Sequence, residues 1–433
     1  MRRKGAIELA FAVAIILFFS NVLTYTVKTD RVAESYPAVV CPPSDSGLNT
    51  QISFTSPKVE IRKTGTSSMA VSQVGARRIT SPAQAVIADT GSNTPIAWQA
   101  RTGVWAGAVA CIAPITQQWF IGASADVTSK GSLTIVNSGL GKALVQISLF
   151  TENGSQANRS ISIRANSFTT LPLTTLVPGA KSIAIGVLPL TGRVNAFVID
   201  ERGKGLRALG GDLVNSVEAP TRSVVIPAIP QQTGKKSSTP HLLRILVPGQ
   251  VSAHISATIA STDGIFPPAG IDGKTIPAGK VIEIPLDYQM ASGKFALIIN
   301  SDQPLLASVF SKTLVNGKGD FVWSTSAPQL TPFTLAVTGV SPTLVFTGGS
   351  IRVKAQLTRI NGSTQTIEID GEDIATFQVP DRVRSITFSK VSGKTYGAAL
   401  ITSQSGYGYI PLLSGSELTK SSIPRSNIRV LLP

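Results

Sequence analysis

The stretch GSLTIVNSGLGKALVQISLFTENG, Gly131–Gly154, decides the fold class. Two runs rich in Leu, Ile, Val and Thr flank a Gly- and Asn-bearing turn, the chemistry of a β-hairpin. Leu133, Ile135, Leu144, Ile147 and Leu149 are expected to supply its buried face. The same grammar recurs in TQISFTSPKVEIRKTG, PHLLRILVPGQVSAHISATIASTDG and GSIRVKAQLTRINGSTQ. A further set of apolar strand, polar turn and apolar strand follows each: AQAVIADTGSNTPIAWQARTG, SIAIGVLPLTGRVNAFVIDERG, FALIINSDQPLLASVFSKTLVNG and YGAALITSQSGYGYIPLLSG.

Four strand-then-proline segments head these units: ESYPAVVCPP, WAGAVACIAP, TRSVVIPAIP and GDFVWSTSAP. The spacing, roughly 70–115 residues, is too long for a solenoid repeat and suits sandwich modules near 100 residues. The expected fold is therefore all-β: tandem immunoglobulin-like β-sandwich modules, strung like beads. The division is 30–104, 105–220, 221–318 and 319–433, preceded by a cytoplasmic tip and membrane anchor over 1–29. A β-propeller is the alternative, although its blades usually repeat every 40–50 residues or so.

Composition agrees. Apolar residues make up 42% of the 433, enough for a sizeable core, while 38 Gly and 27 Pro supply turns. Lys and Arg outnumber Asp and Glu by 39 to 24, a net charge of +15 that favours anionic partners. No Lys/Arg block of five or more accompanies it and aromatics are only 6%, so nucleic acid is not expected as a partner.

The N-terminus sets the compartment. Arg2, Arg3 and Lys4 precede an apolar run from Ala6 to Val27. At about 1.5 Å per residue such a run spans a hydrocarbon core of about 30 Å. Basic flanks stay cytoplasmic, which puts the bulk of the chain outside. A cleaved signal peptide is the rival, but Tyr25-Thr26-Val27 is a poor cleavage site. The two cysteines, Cys41 and Cys111, fit an oxidising exterior as one disulfide. Both lie at expected head strands, so the bridge is expected to tie two modules together.

The segment Gly103–Gly154 carries Cys111–Pro114, Trp119–Gly122 and Leu133–Asn137 in order, and GDFVWSTSAP follows later. On these landmarks the chain resembles an uncharacterised actinobacterial family of membrane-anchored exported proteins, roughly from Pro37 to Pro328. The resemblance implies an envelope location and β-rich modules, and no activity.

Candidate chemistry is sparse. AVIADTGSNTPIAW, Ala85–Trp98, reads like an aspartic-protease loop around Asp89. Such enzymes need two carboxylates sharing a proton. The only other match, Asp45-Ser46-Gly47, is too close for a second lobe and lacks a leading strand. The three corresponding hairpins carry no Asp-Thr-Gly, so Asp89 is expected to serve a turn. Gly203–Gly211, GKGLRALGG, reads as a flexible loop, and Ile367–Phe377 as a hairpin with only a weak case for calcium. No metal or cofactor is expected. Trp98 and Trp105 are expected in the core, while Trp119 and Phe120, after a polar turn, are the best surface pair for glycan contact. The expectation is a non-catalytic envelope protein that holds envelope proteins or anionic wall polymers. A carbohydrate-binding accessory of envelope glycan assembly is the alternative, and a peptidase using Asp89 the remote one.

Overall fold

Ser132–Asn137 is buried at every position, whereas Ala143–Thr151 alternates buried and open over its first half. Alternation marks a strand with one face to solvent; continuous burial marks a strand covered on both faces. A computed structural model, which describes residues 38–45, 47–65, 72–231, 241–286, 293–315 and 317–416, shows what provides the second cover.

The second repeat sets the pattern. Its outer sheet runs Gln118–Ile121, Ile183–Thr191, Ala143–Thr151, Arg159–Ile163. Its inner sheet runs Ser167–Pro172, Ser132–Asn137, Val194–Lys204, Arg207–Val214. With the eight main strands counted along the chain, the orders are 1-6-3-4 and 5-2-7-8. The first repeat has the same orders: Ala38–Cys41, Val86–Asp89, Glu60–Lys63, Ser72–Gln73 outside, and Arg78–Thr80, Asn49–Ser53, Ile96–Arg101, Trp105–Ala110 inside. The third and fourth repeat them with fused strands. Gly293–Val315 serves both sheets of the third, as Thr343–Arg359 and Thr364–Gln378 do in the fourth.

Each inner sheet turns one face to its own outer sheet and the other to the preceding repeat. In the second repeat, Leu133, Ile135, Ala196 and Val198 share a core with Val145 and Ile185. Val136, Phe197, Ile199 and Leu213 instead enter the core of the first repeat, beside Ile52, Ile61 and Val86. Phe310, Phe321 and Trp323 of the third repeat enter the second in the same way. Val345, Ala398 and Tyr409 of the fourth meet Ala228 and Val322 of the third. Ile96, Trp98 and Ala100 of the first enter the core of the fourth, so the series closes on itself. A short parallel pairing of Asn93–Thr94 with Thr334 and Leu335 reinforces that closure. Burying such a side chain contributes about 1.5–3 kcal/mol, and the inner sheets do it on both faces.

The arrangement is propeller-like rather than beaded, with a two-sheet repeat in the place of each blade. The last strands, Trp105–Ala110, Arg207–Val214, Lys318–Thr325 and Tyr407–Pro411, pack around the middle. Glycine makes that approach possible: a Cβ on Gly211 would lie 2.7 Å from the Trp105 ring.

Several expectations change. Immunoglobulin domains pair their strands as ABED and CFG, an order the 1-6-3-4 and 5-2-7-8 sheets do not follow. Trp105–Ala110 and Lys318–Thr325 close the first and third repeats, whereas the sequence division puts them at or across the head of the next. Leu144 is exposed, and Ala143 and Val145 join Ile147 and Leu149 inside. GKGLRALGG is a hairpin running into an inner strand, not a flexible loop. The expected anchor over 1–29 lies outside the described residues. Among the described residues no helix is long and apolar enough to cross a membrane.

Candidate binding site

The disulfide forms between Cys41 and Cys111, both fully buried, with Cα atoms 4.7 Å apart. It joins the first strand of the first repeat to the segment leaving its last strand, and so staples one repeat rather than tying two together. The backbone bond from Val40 N to Ile112 O, 2.9 Å, lies beside it. The second repeat closes without a disulfide, by Trp119 N to Val217 O at 2.7 Å and Val217 N to Trp119 O at 2.8 Å.

Pro42–Asp45, directly after Cys41, and Leu48 line a cleft of about 560 Å³ together with residues of the inner sheet of the second repeat. Its apolar wall comes from Phe168, Phe197, Ile199 and Leu213 of the second repeat. Gln99, Ser81 and Thr80 of the first repeat and Thr134 and Thr170 of the second contribute polar groups. Gln99 is fully buried; its Nε2 donates to Pro43 O at 3.0 Å, which fixes the amide, while no protein donor reaches Oε1. The Thr134 and Thr170 hydroxyls bond each other at 2.9 Å. Among the described lining residues Asp45 is the one acid, and none is Lys or Arg.

A second polar cluster sits where the inner strands converge. Asp200 accepts from Trp323 Nε1 at 2.9 Å and from Arg202 Nη2 at 2.8 Å. Arg202 lies over the Phe310 and Phe321 rings at 5.0 and 4.9 Å. Asp212 accepts from Trp323 N at 2.6 Å and Leu213 N at 2.8 Å. Burial pushes its carboxyl well above the usual range, against those two N–H bonds and with help from Asp320 and Asp200. Burial raises Asp320 to about 7; its Oδ1 accepts from Gly211 N at 3.1 Å and its Oδ2 is buried without a partner. These carboxylates are held by backbone N–H groups, an indole and one Arg, the pattern of a packed polar seam. Among the described residues no group of His, Cys, Asp or Glu is arranged to hold a metal ion.

The residues picked from sequence fare differently. Asp89 ends the strand Val86–Asp89 and opens a turn: its Oδ1 accepts from Gly91 N at 3.3 Å, Thr90 Oγ1 donates to Asn93 O at 2.7 Å, and Gly91 takes φ +58°. Trp119 and Phe120 are buried, not exposed, which removes them as a glycan platform. The Trp119 ring packs 5.9 Å from that of Phe150, and Phe120 lies in the core of its repeat. Trp98, Trp105 and Trp323 are buried as well. The Ile367–Phe377 acids lie on a paired strand, where Glu368 and Asp370 face Arg352. Sequence reasoning missed Gln99 and Thr134. A glutamine inside the apolar run IAWQAR was the one signal for the former.

A family model matches residues 69–380. The chain belongs to a family of unknown function, DUF5719. No curated protein matches it. Among solved structures, the crystal structure of Thermotoga maritima 1070 is 18% identical over 24% of this chain and 92% of its own, with a TM-score of 0.21. A tetra-tandem repeat from the extending region of a large adhesion protein is 11% identical over 84% of this chain and 90% of its own, with a TM-score of 0.11. Neither likeness carries an argument at those scores.

Proposed function

We propose that this DUF5719 chain is a non-catalytic interaction protein of the cell envelope, held in the membrane by residues 1–29 with its β-rich repeats outside. The observation that carries this reading is the Cys41–Cys111 disulfide, which uses both cysteines of the chain. Such bridges persist in oxidising compartments and are rare in reducing ones. The apolar run behind Arg2, Arg3 and Lys4 supplies an export signal and anchor in the same sense.

Binding rather than catalysis fits the chemistry on the surface. Asp89 is committed to a turn, Asp200 to Trp323 and Arg202, and Asp212 and Asp320 Oδ1 accept from backbone N–H groups. At one end of the second repeat, fully exposed Val127 and Leu206 stand among exposed Lys130, Lys204 and Arg207. Apolar tips ringed by cations suit an anionic polymer or headgroup surface. Fold likeness does not enter this reading, because sandwiches and propellers host many functions.

The test is topological. In membranes of the producing cell, Cys41 and Cys111 should resist alkylation until reduced, and external protease should reach the repeats of intact spheroplasts. Free thiols together with full protease protection would sink the proposal.

A further inference from the structure

We propose that the cleft between the first and second repeats binds a neutral, hydroxyl-rich ring of hexose size, such as one sugar residue of a glycan. This rests on the non-catalytic reading above and names a ligand class for it. The void of about 560 Å³ falls inside the usual range for small-ligand sites, about 300–1,000 Å³.

Gln99 gives the first requirement. Its amide is fully buried and its Nε2 is spent on Pro43 O, so the orientation is fixed and Oε1 is an acceptor that no protein donor reaches. A buried acceptor without a donor is costly, and a ligand that brings an O–H or N–H relieves that cost. The threonine pair gives the second. One of the two hydroxyls of Thr134 and Thr170 donates to the other, which leaves one proton free to donate. A ligand group that both donates and accepts satisfies Gln99 and this proton together, and an alcohol does so.

The wall gives the third requirement. Phe168 is half-buried and lies with Phe197 and Ile199 along one side, a surface for an apolar face. Sugar rings combine C–H faces with hydroxyl edges. Charge gives the fourth. The chain carries 39 Lys and Arg, yet none is among the described residues that line the cleft. A phosphate or carboxylate would enter without a cation to meet it, and beside Asp45.

The experiment uses the full chain in a zwitterionic detergent with no sugar headgroup. Methyl glycosides of glucose, galactose and mannose are titrated by saturation-transfer NMR, with glucose 6-phosphate as the anionic counterpart. At least one neutral glycoside should saturate, and glucose 6-phosphate should bind more weakly than glucose. Gln99→Leu and Phe168→Ala should each weaken binding about tenfold, a single hydrogen bond or stacking face. Phe168 is half-buried, so its variant decides the matter if Gln99→Leu does not fold. No saturation by any neutral glycoside, equal affinity in wild type and Phe168→Ala, or preference for the phosphate would overturn the proposal. Reduced cysteines in the cell would overturn the envelope reading and leave this titration unaffected.

Discussion

Two seams of the ring are built on one plan and end differently. At each, the second strand of an inner sheet faces the preceding repeat. Between the second and third repeats that strand is His241–Leu246 and the residue facing across is Arg244. Its guanidinium donates to Ala123 O at 2.5 Å and Ile183 O at 3.3 Å, pairs with Glu283 at 2.6 Å and lies 4.6 Å over the Trp323 ring. The seam is filled. Between the first and second repeats the strand is Ser132–Asn137 and the facing residue is Thr134, beside the cleft. A short hydroxyl there, in place of a guanidinium, leaves the void. The same sheet packing makes a joint or a site, depending on the size of a few side chains.

The open seam has a covalent neighbour, and removing it is the harshest way to break the comparison. Cys41→Ser with Cys111→Ser should lower stability by about 4 kcal/mol in the chain-entropy model. The bridge spans 70 residues and holds the strand that leads into the loop over the cleft. Urea titration with and without reductant measures it. A loss under about 1 kcal/mol would mean that the Val40–Ile112 hydrogen bond already closes the repeat, as Trp119–Val217 does in the second.

At the filled seam, Arg244→Leu should cost about 3 kcal/mol, because it strips donors from two buried carbonyls and leaves Glu283 unpaired. The midpoint of urea unfolding reads this. If the variant were as stable as wild type, the guanidinium would be filling space and no more.

The polar groups near the filled seam also set a pH dependence. Asp320 is raised to about 7 from an unfolded value near 3.8. The folded state therefore holds a proton that the unfolded state releases, so this contribution is full below about pH 4 and is lost as pH rises to about 7. His241, buried between Ser311 Oγ and Gln231 Oε1, is lowered to about 4 by burial. Its sign is opposite: the unfolded state binds the extra proton, and stability falls as pH drops from about 6.5 to about 4. Asp320→Asn should flatten the first limb, changing the slope of stability by up to about 1.4 kcal/mol per pH unit. Thermal melts at pH 5, 6, 7 and 8 follow it, and an unchanged slope would exclude Asp320 as the titrating group.

The strands and the disulfide partners were legible in the sequence, and so was the turn at Asp89, because each follows from local chemistry. The ring was not. WAGAVA and SLTIVN are buried throughout, but an unbroken apolar run does not say which second surface covers it. Strand-then-proline segments occur both at first strands, as in SVVIPAIP, and after last strands, as in WAGAVACIAP, so aligning them shifts the repeat boundaries. Trp119 and Phe120 misled through the polar ITQQ before them. Gln118 is itself buried, donating to Ala196 O and accepting from Ala196 N. The cleft left no motif, since its groups come from Gln99, Thr134, Phe168 and Phe197 on two repeats.

The gentlest test converts the open seam toward the filled one. Thr134→Leu replaces a hydroxyl with a longer apolar side chain that has room to enter the void beside Phe197 and Ile199. Adding apolar contact there gains transfer free energy, while losing the bond to Thr170 costs a partner, so the net change should stay within about 1 kcal/mol. Binding should respond far more than stability, because the leucine occupies the ligand's volume. A variant that melts like wild type and no longer binds methyl glycosides would show that the void is kept open for occupancy. A variant that binds unchanged would show that the ligand sits elsewhere, and that Thr134 differs from Arg244 only in how its seam is packed.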